Sequence, residues 1–212
     1  GKALLPSVDG YENYVDHVSR FVKNDKAKEL YYNHVRNIVT RTNTVTGKPY
    51  KDDPAIFSWQ IGNEPRAFAR DSVTKAAFAE WMCSSATLIK SLDPNHMVST
   101  GSEGLYGCEV DMDLFEQIHA HKDFDYLNVH IWPLVWRWVT KDTFADSVNV
   151  AAAYTEKYLT AHFPVAERVK KPIVLEEFGY PRDGNSDFEG EAEKFWDGVC
   201  LSKESSTAAR DE

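Results

Sequence analysis

A chain of 212 residues is long enough for one domain with a substantial core, and a composition of 42% hydrophobic and 13% aromatic residues indicates a globular protein. The formal net charge of −9 disfavours nucleic acid and anionic membrane surfaces as partners and favours a neutral or cationic ligand. The cysteines lack metal-ligand spacing, so the sequence predicts no metal site and at most one disulfide, with free thiols as the alternative at Cys83, Cys108 and Cys200.

The predicted elements alternate along the chain. Hydrophobic periodicity predicts helices over residues 10–23, 25–41, 72–91, 111–120, 144–162 and 189–201. Short β-branched and aromatic runs bounded by Gly or Pro predict strands over 56–62, 96–101, 126–132 and 173–178. Strands separated by helices indicate repeated βα units, and therefore a parallel sheet with right-handed crossovers.

The strand predicted over 56–62 ends in a polar loop. Phe57, Trp59 and Ile61 alternate onto one face, and smaller polar residues alternate onto the other. A bulky apolar face and a small polar face suit the wall of a (β/α) barrel, with helices outside and a tight interior. Glu64 follows the strand, at the end where barrel enzymes place their chemistry. On the residues alone, a catalytic Glu64 and a Glu that caps the following helix are equal alternatives.

The strand predicted over 173–178 also carries acid at its C-terminal end. Alternation places Glu177 on one face and Glu176 on the other, towards the helices. Two strands that each carry a Glu at the same end bring a pair of carboxylates together across a barrel mouth. Paired carboxylates are the apparatus of glycoside hydrolysis.

These motifs resemble those of glycoside hydrolase family 5. The acid/base and nucleophile motifs of that family resemble Gly62-Asn63-Glu64-Pro65-Arg66 and Glu177-Phe178-Gly179. The mannanase branch of the family has segments that resemble the turn at 42–47 with Asp52-Asp53-Pro54, and also His130-Ile131-Trp132-Pro133. The resemblance implies an α/β fold of the (β/α)8 TIM-barrel type and a retaining endo-β-1,4-mannanase acting on mannan or glucomannan without a cofactor. It also implies a protein that is secreted, periplasmic or at the cell surface.

The resemblance assigns roles to the residues that match its motifs. Glu64 is the predicted general acid/base and Glu177 the predicted nucleophile, with Glu176 as a buried or capping carboxylate. Five residues are predicted to bind substrate, namely Asn63, His130, Trp132, Trp138 and Glu103. Their alternative interpretations are a turn asparagine, a satisfied core histidine, tryptophans that plug the barrel rim, and a surface-loop glutamate.

Trp132 departs from the family pattern. The wider family has a Tyr two residues after the histidine, where it supports the nucleophile, but this chain has Trp132, whose side chain has only an indole N–H to donate. His119 and His121 have a spacing that zinc sites also use. No third ligand accompanies them, so both are interpreted as surface residues.

The resemblance covers only part of a barrel. An eight-stranded barrel typically needs about 250 residues, and the four predicted strands match strands 4 to 7 of the family. We therefore predict a partial barrel domain over 1–201 and a polar tail over 202–212, with a partner segment or self-association completing the barrel. The alternative functions are a β-1,4-glucanase and a non-hydrolytic carbohydrate-binding or inactive fragment.

Overall fold

The computed structural model describes residues 11–140, 142–143 and 146–180. Its α-helices are α1 (Tyr11–Ser19), α2 (Asp25–Val39), α3 (Ser72–Leu92), α4 (Met112–His119) and α5 (Val148–Val169). Its strands are β1 (Ser58–Gln60), β2 (Met97–Ser99), β3 (Leu127–Ile131) and β4 (Ile173–Phe178). Single turns of 3-10 helix span Phe21–Lys23, Tyr50–Asp52 and Tyr106–Cys108. The predicted helix over 189–201, the tail over 202–212 and Cys200 lie outside the described residues.

The chain divides into two compact units. Unit 1 runs up to Val129 and also includes Val165–Val174, while unit 2 comprises His130–Pro164 and the chain from Leu175 onward. Both β3 and β4 cross from unit 1 into unit 2. In unit 1, Glu64 follows β1; in unit 2, Glu177 lies on β4.

Neighbouring strands are parallel, as the alternation of strands and helices predicted, but the described strands form two sheets of two strands instead of the one sheet predicted. β1 pairs with β2 in the register Ser58↔Met97, Trp59↔Val98 and Gln60↔Ser99. β3 pairs with β4. The Leu127 N–H donates to the Pro172 carbonyl at 2.8 Å in unit 1, and the Gly179 N–H donates to the Ile131 carbonyl at 3.1 Å in unit 2. From the first bond to the second, the residue numbers increase along both strands, as they do in a parallel pair.

Short polar side chains fix the helix starts. The Asp71 side chain accepts from the Thr74 N–H at α3, and Asn24 and Asp111 do the same for Ala27 and Leu114 at α2 and α4. α5 was predicted to end at residue 162, but it continues through Pro164 to Val169. Proline removes one helical hydrogen bond. The segment after Pro164 stays helical because Val165 is buried in the core of unit 1.

The core of unit 1 is built on α3. Its buried face includes Phe78, Met82, Ala86 and Ile89, which recur at helical spacing. Unit 2 has a smaller buried cluster of Leu134, Val139 and Ala151. Within the described residues, no helix combines the length and the apolar character needed to cross a membrane.

Two predictions about exposure were wrong. Phe57, expected on the buried face with Trp59 and Ile61, precedes the strand and is 69% exposed. His119, expected on the surface, is fully buried because it faces inward from the last turn of α4. Its Nδ1 lies 2.8 Å from the Phe115 carbonyl and its Nε2 lies 3.1 Å from the Thr100 hydroxyl.

Candidate active site

The loop after β1 carries Glu64 and is fixed through its backbone. The Ile61 N–H donates to the Ser99 carbonyl at 3.2 Å, and the Glu64 N–H donates to the Gly101 carbonyl at 2.9 Å. The Tyr31 hydroxyl, on α2, donates to the Ile61 carbonyl at 2.8 Å. Glu64 itself has a left-handed backbone with φ of 49°, a conformation that costs free energy for a residue with a side chain. Several hydrogen bonds therefore hold an unfavourable turn.

Gly101 is required where this loop meets β2. Its φ is +73°, and a Cβ built there would lie 1.9 Å from the Gly62 carbonyl oxygen. No side chain fits between two backbones this close. The Glu64 loop consequently lies directly on the segment that follows β2.

Arg66 adds a side-chain contact to the same segment. Its guanidinium donates two hydrogen bonds to the Glu103 carboxylate, and the Glu103 side chain is only 2% exposed. Burial alone would lower the pKa of Arg66, but the hydrogen bond and charge of Glu103 outweigh it and raise that pKa. The interpretation of Glu103 as a surface-loop residue is therefore wrong, and its predicted contact with substrate stays a prediction.

Glu177 on β4 is approached by a histidine from β3. His130 is 2% exposed, and its Nδ1 lies 3.3 Å from Glu177 Oε2. Its Nε2 lies 3.6 Å from Glu176 Oε2, so one imidazole faces both carboxylates. Alternation along β4 does not by itself separate the two glutamates, contrary to the sequence prediction.

Trp132 distinguishes Glu177 by a directed hydrogen bond. Its indole N–H donates to Glu177 Oε2 at 3.1 Å. The indole also lies against Gly179, where a Cβ would be 2.1 Å from Cζ3 of the ring. Trp132 thus supplies a donor to the predicted nucleophile where the family pattern has a tyrosine, and Gly179 leaves room for the larger ring.

The tryptophan-rich loop packs on α5. Trp138 stacks on Tyr154 with ring centroids 5.6 Å apart and planes 25° from parallel. Trp136 meets Trp138 edge-on at 5.0 Å and also contacts Tyr158. Tyr154 therefore covers one face of Trp138, as expected for a rim plug. Asn63 is exposed in the Glu64 loop, and sugar binding by either residue stays a prediction.

A comparison with models of known protein families identifies the family of this chain. Residues 2–212 match the family model described as "GH family 5 beta-mannosidase-like". The chain belongs to glycoside hydrolase family 5.

Relatives of known name and structure agree with this family 5 assignment. Mannan endo-1,4-beta-mannosidase 1 of Arabidopsis thaliana is 32% identical over 212 residues, covering 84% of this chain and 48% of that protein. The family 5 mannosidase structure from Rhizomucor miehei is 33% identical with a TM-score of 0.69, covering 87% of this chain and 42% of that one. The endo-beta-1,4-mannanase structure from Thermotoga petrophila is 27% identical with a TM-score of 0.64, covering 82% and 40%.

This family 5 chain spans about half, or less, of the length of the curated relatives it matches. The structural likenesses confirm that its fold is part of a (β/α)8 barrel. Sequence reasoning identified the strand-end glutamates but missed the glycines that support them. A signal for Gly101 was present, since a Gly directly after a short strand marks a turn or a close backbone approach.

Proposed function

We propose that this chain carries the catalytic carboxylates of a retaining, endo-acting glycoside hydrolase that cleaves β-1,4-mannosidic bonds in mannan or glucomannan. The observation that supports the proposal most is the pair of groups at Glu177, a strand-end carboxylate bonded by the Trp132 indole and faced by the buried His130. An N–H donor stabilises the anionic form of a carboxylate and fixes its direction, as a nucleophile requires.

In the proposed reaction Glu177 attacks the anomeric carbon and forms a covalent glycosyl-enzyme while Glu64 protonates the departing oxygen. Glu64 then takes a proton from water, which attacks the anomeric carbon and releases Glu177. This mechanism requires the two carboxyl groups to lie about 5–5.5 Å apart, the retaining geometry. No cofactor takes part in either step.

The proposed substrate is the one in the names of the relatives, which are mannan endo-1,4-beta-mannosidases. The residues proposed to bind the sugar are Asn63, His130, Trp132, Trp138 and Glu103. A polysaccharide substrate favours a protein that is secreted, periplasmic or at the cell surface. The buried position of the Glu103 carboxylate favours an indirect contribution from that residue, through Arg66.

We further propose that the barrel is completed by a partner segment or by a second copy of the chain, with residues 1–201 forming one catalytic domain. The described residues contain four strands, whereas the barrel has eight. Light scattering of the purified chain, alone and with added complementary polypeptide, tests this assembly by its molar mass.

Release of reducing sugar from mannan, glucomannan, cellulose and xylan tests the activity. Hydrolysis restricted to the mannans supports the proposal, whereas faster release from cellulose favours the β-1,4-glucanase. Binding of mannan without release by the completed barrel would support a carbohydrate-binding fragment and contradict the proposal.

A further inference from the structure

A buried asparagine on β3 binds the backbone that follows β2. Asn128 is fully buried, and its Oδ1 accepts from the hydroxyls of Ser99 and Thr100 at 2.6 and 2.7 Å. The same oxygen accepts from the Gly101 N–H at 3.3 Å, and Nδ2 donates to the Ser102 carbonyl at 3.0 Å. One amide therefore contacts four successive residues, 99–102.

These contacts make the position selective for an amide. An acceptor is needed towards three donors, and a donor is needed towards a carbonyl. Asn provides both from one planar group, whereas Asp has no donor at neutral pH and Leu has neither. Since the site is fully buried, a lost partner is not replaced by water without cost.

The segment held by Asn128 is also the surface on which the Glu64 loop rests. Gly101 receives the Asn128 contact through its N–H and accepts the Glu64 N–H through its carbonyl at 2.9 Å. Ser99 likewise contacts Asn128 through its hydroxyl and accepts the Ile61 N–H through its carbonyl. With no room for a side chain at Gly101, a shift of this segment is transmitted to the loop.

We infer that Asn128 is a positioning residue for Glu64, an inference that rests on the acid/base role proposed for that glutamate. Asn128 fixes residues 99–102, and these fix the backbone that presents the carboxyl group. Catalytic groups must be held within about 0.5 Å of the productive geometry. Glu64 has a strained backbone, so it depends on this support more than a relaxed residue would.

Amide hydrogen exchange by NMR tests the structural step without requiring activity. Asn128→Leu should speed exchange of the Glu64 amide at least about tenfold relative to the Ala86 amide in α3, because the local bond to Gly101 opens separately from global unfolding. Asn128→Asp should change the ratio in the same direction, since it replaces the donor with a carboxylate oxygen that faces the Ser102 carbonyl in a fully buried site. Asn33→Asp makes the same substitution on the exposed face of α2 and should change neither rate.

Val98→Ala provides the control for general destabilisation. Val98 is fully buried on β2 and is not one of the four residues that Asn128 contacts. Its truncation should therefore speed amide exchange at Glu64 and at Ala86 by similar factors. If the ratio of the Glu64 exchange rate to the Ala86 exchange rate is the same in Asn128→Leu as in Val98→Ala, Asn128 is an ordinary core residue and the inference is overturned.

Kinetics of the completed barrel test the functional step. Misplacing the acid matters for poor leaving groups, so Asn128→Leu should lose at least about tenfold in kcat on mannan. On a dinitrophenyl mannoside with azide, which needs neither acid nor base from Glu64, the loss should be under about threefold. Equal losses on both substrates would overturn the positioning role. An inactive wild-type protein would defeat the proposed function instead, and the exchange ratio would still decide the role of Asn128.

Discussion

The two glutamates are held in different ways. Around Glu64 in unit 1, the backbone N–H donates to the Gly101 carbonyl, and the charge of the Arg66 guanidinium, which is paired with Glu103, acts on the Glu64 carboxylate. Around Glu177 in unit 2, it reaches the carboxylate itself, by the Trp132 indole and the His130 ring. The backbone bond of Glu64 fixes where its side chain begins, and the indole bond to Glu177 fixes the carboxylate itself.

This difference fits the proposed chemistry. A general acid/base must carry a proton in one step and lose it in the next, so support through the backbone is compatible with both states. A nucleophile must be an anion at the moment of attack, so donors aimed at its oxygens are useful throughout. Substitutions on the two sides should therefore fail in distinguishable ways.

The largest effect is expected at the glutamates. Glu177→Gln should lower kcat on the order of 10⁴-fold while mannan binding persists, because the nucleophile is removed and the shape is retained. Glu64→Ala should be partly rescued by azide on an activated aryl mannoside. Glu176→Gln is the matched control. Since His130 faces both carboxylates, an inactive Glu176→Gln beside an active Glu177→Gln would reverse the assignment.

A smaller effect is expected at the indole donor. Trp132→Phe removes the N–H to Glu177 and should lower kcat about 100-fold, the usual range for one directed donor. Trp132→Tyr restores a donor and should retain more activity than Trp132→Phe. Equal activity of the Phe and Tyr variants would show that the indole serves only as packing.

The contact between Trp132 and Gly179 sharpens this test. Gly179→Ala places a Cβ against the six-membered ring, so it should displace the indole and lower kcat about tenfold or more. Combined with Trp132→Phe, whose ring is smaller, the alanine should cost much less than it does alone. Strictly additive losses in this double-mutant cycle would contradict a steric coupling.

Asp93, in unit 1 with Glu64, should be sensitive in stability rather than in chemistry. Buried Asp93 accepts the Trp59 indole N–H from β1 at 2.7 Å, and its Oδ2 lies 2.7 Å from Nδ1 of His96 before β2. Burial opposes its charge, but these hydrogen bonds prevail and keep the pKa of Asp93 below its ordinary value. Asp93→Asn should destabilise by about 2 kcal/mol in urea unfolding. A loss below the error of the measurement would show that the contacts are not stabilising.

The sequence predicted those features that depend on neighbouring residues. Strand alternation and a following Gly located Glu64, and helical periodicity over 72–91 located α3, which spans Ser72–Leu92. Features that depend on distant residues were missed. Asn128 and Ser102 are 26 positions apart, Arg66 and Glu103 are 37 apart, and no local pattern pairs them. The end of α5 was missed because burial of Val165 overrides the local effect of Pro164.

The smallest predicted effect is a pH dependence within unit 2. His162 on α5 is fully buried, and its Nδ1 lies 2.7 Å from the Tyr158 carbonyl. Burial lowers the pKa of His162, although the bond to Tyr158 opposes this. Above about pH 6.5 the histidine is neutral in both states and contributes no pH dependence. Below that pH the unfolded chain binds more protons, so stability falls as the pH drops towards the folded pKa.

His162→Gln should remove this pH dependence, lowering the slope of the unfolding free energy between pH 6.5 and 5 by at most about 1.4 kcal/mol per pH unit. Asp93 provides the contrast on the acid/base side. Its lowered pKa means that its contribution is present above about pH 3.9 and is lost only as the pH falls further. Urea unfolding of wild type, His162→Gln and Asp93→Asn at several pH values separates the two windows. If His162→Gln leaves the slope between pH 6.5 and 5 unchanged, the buried histidine is not its source.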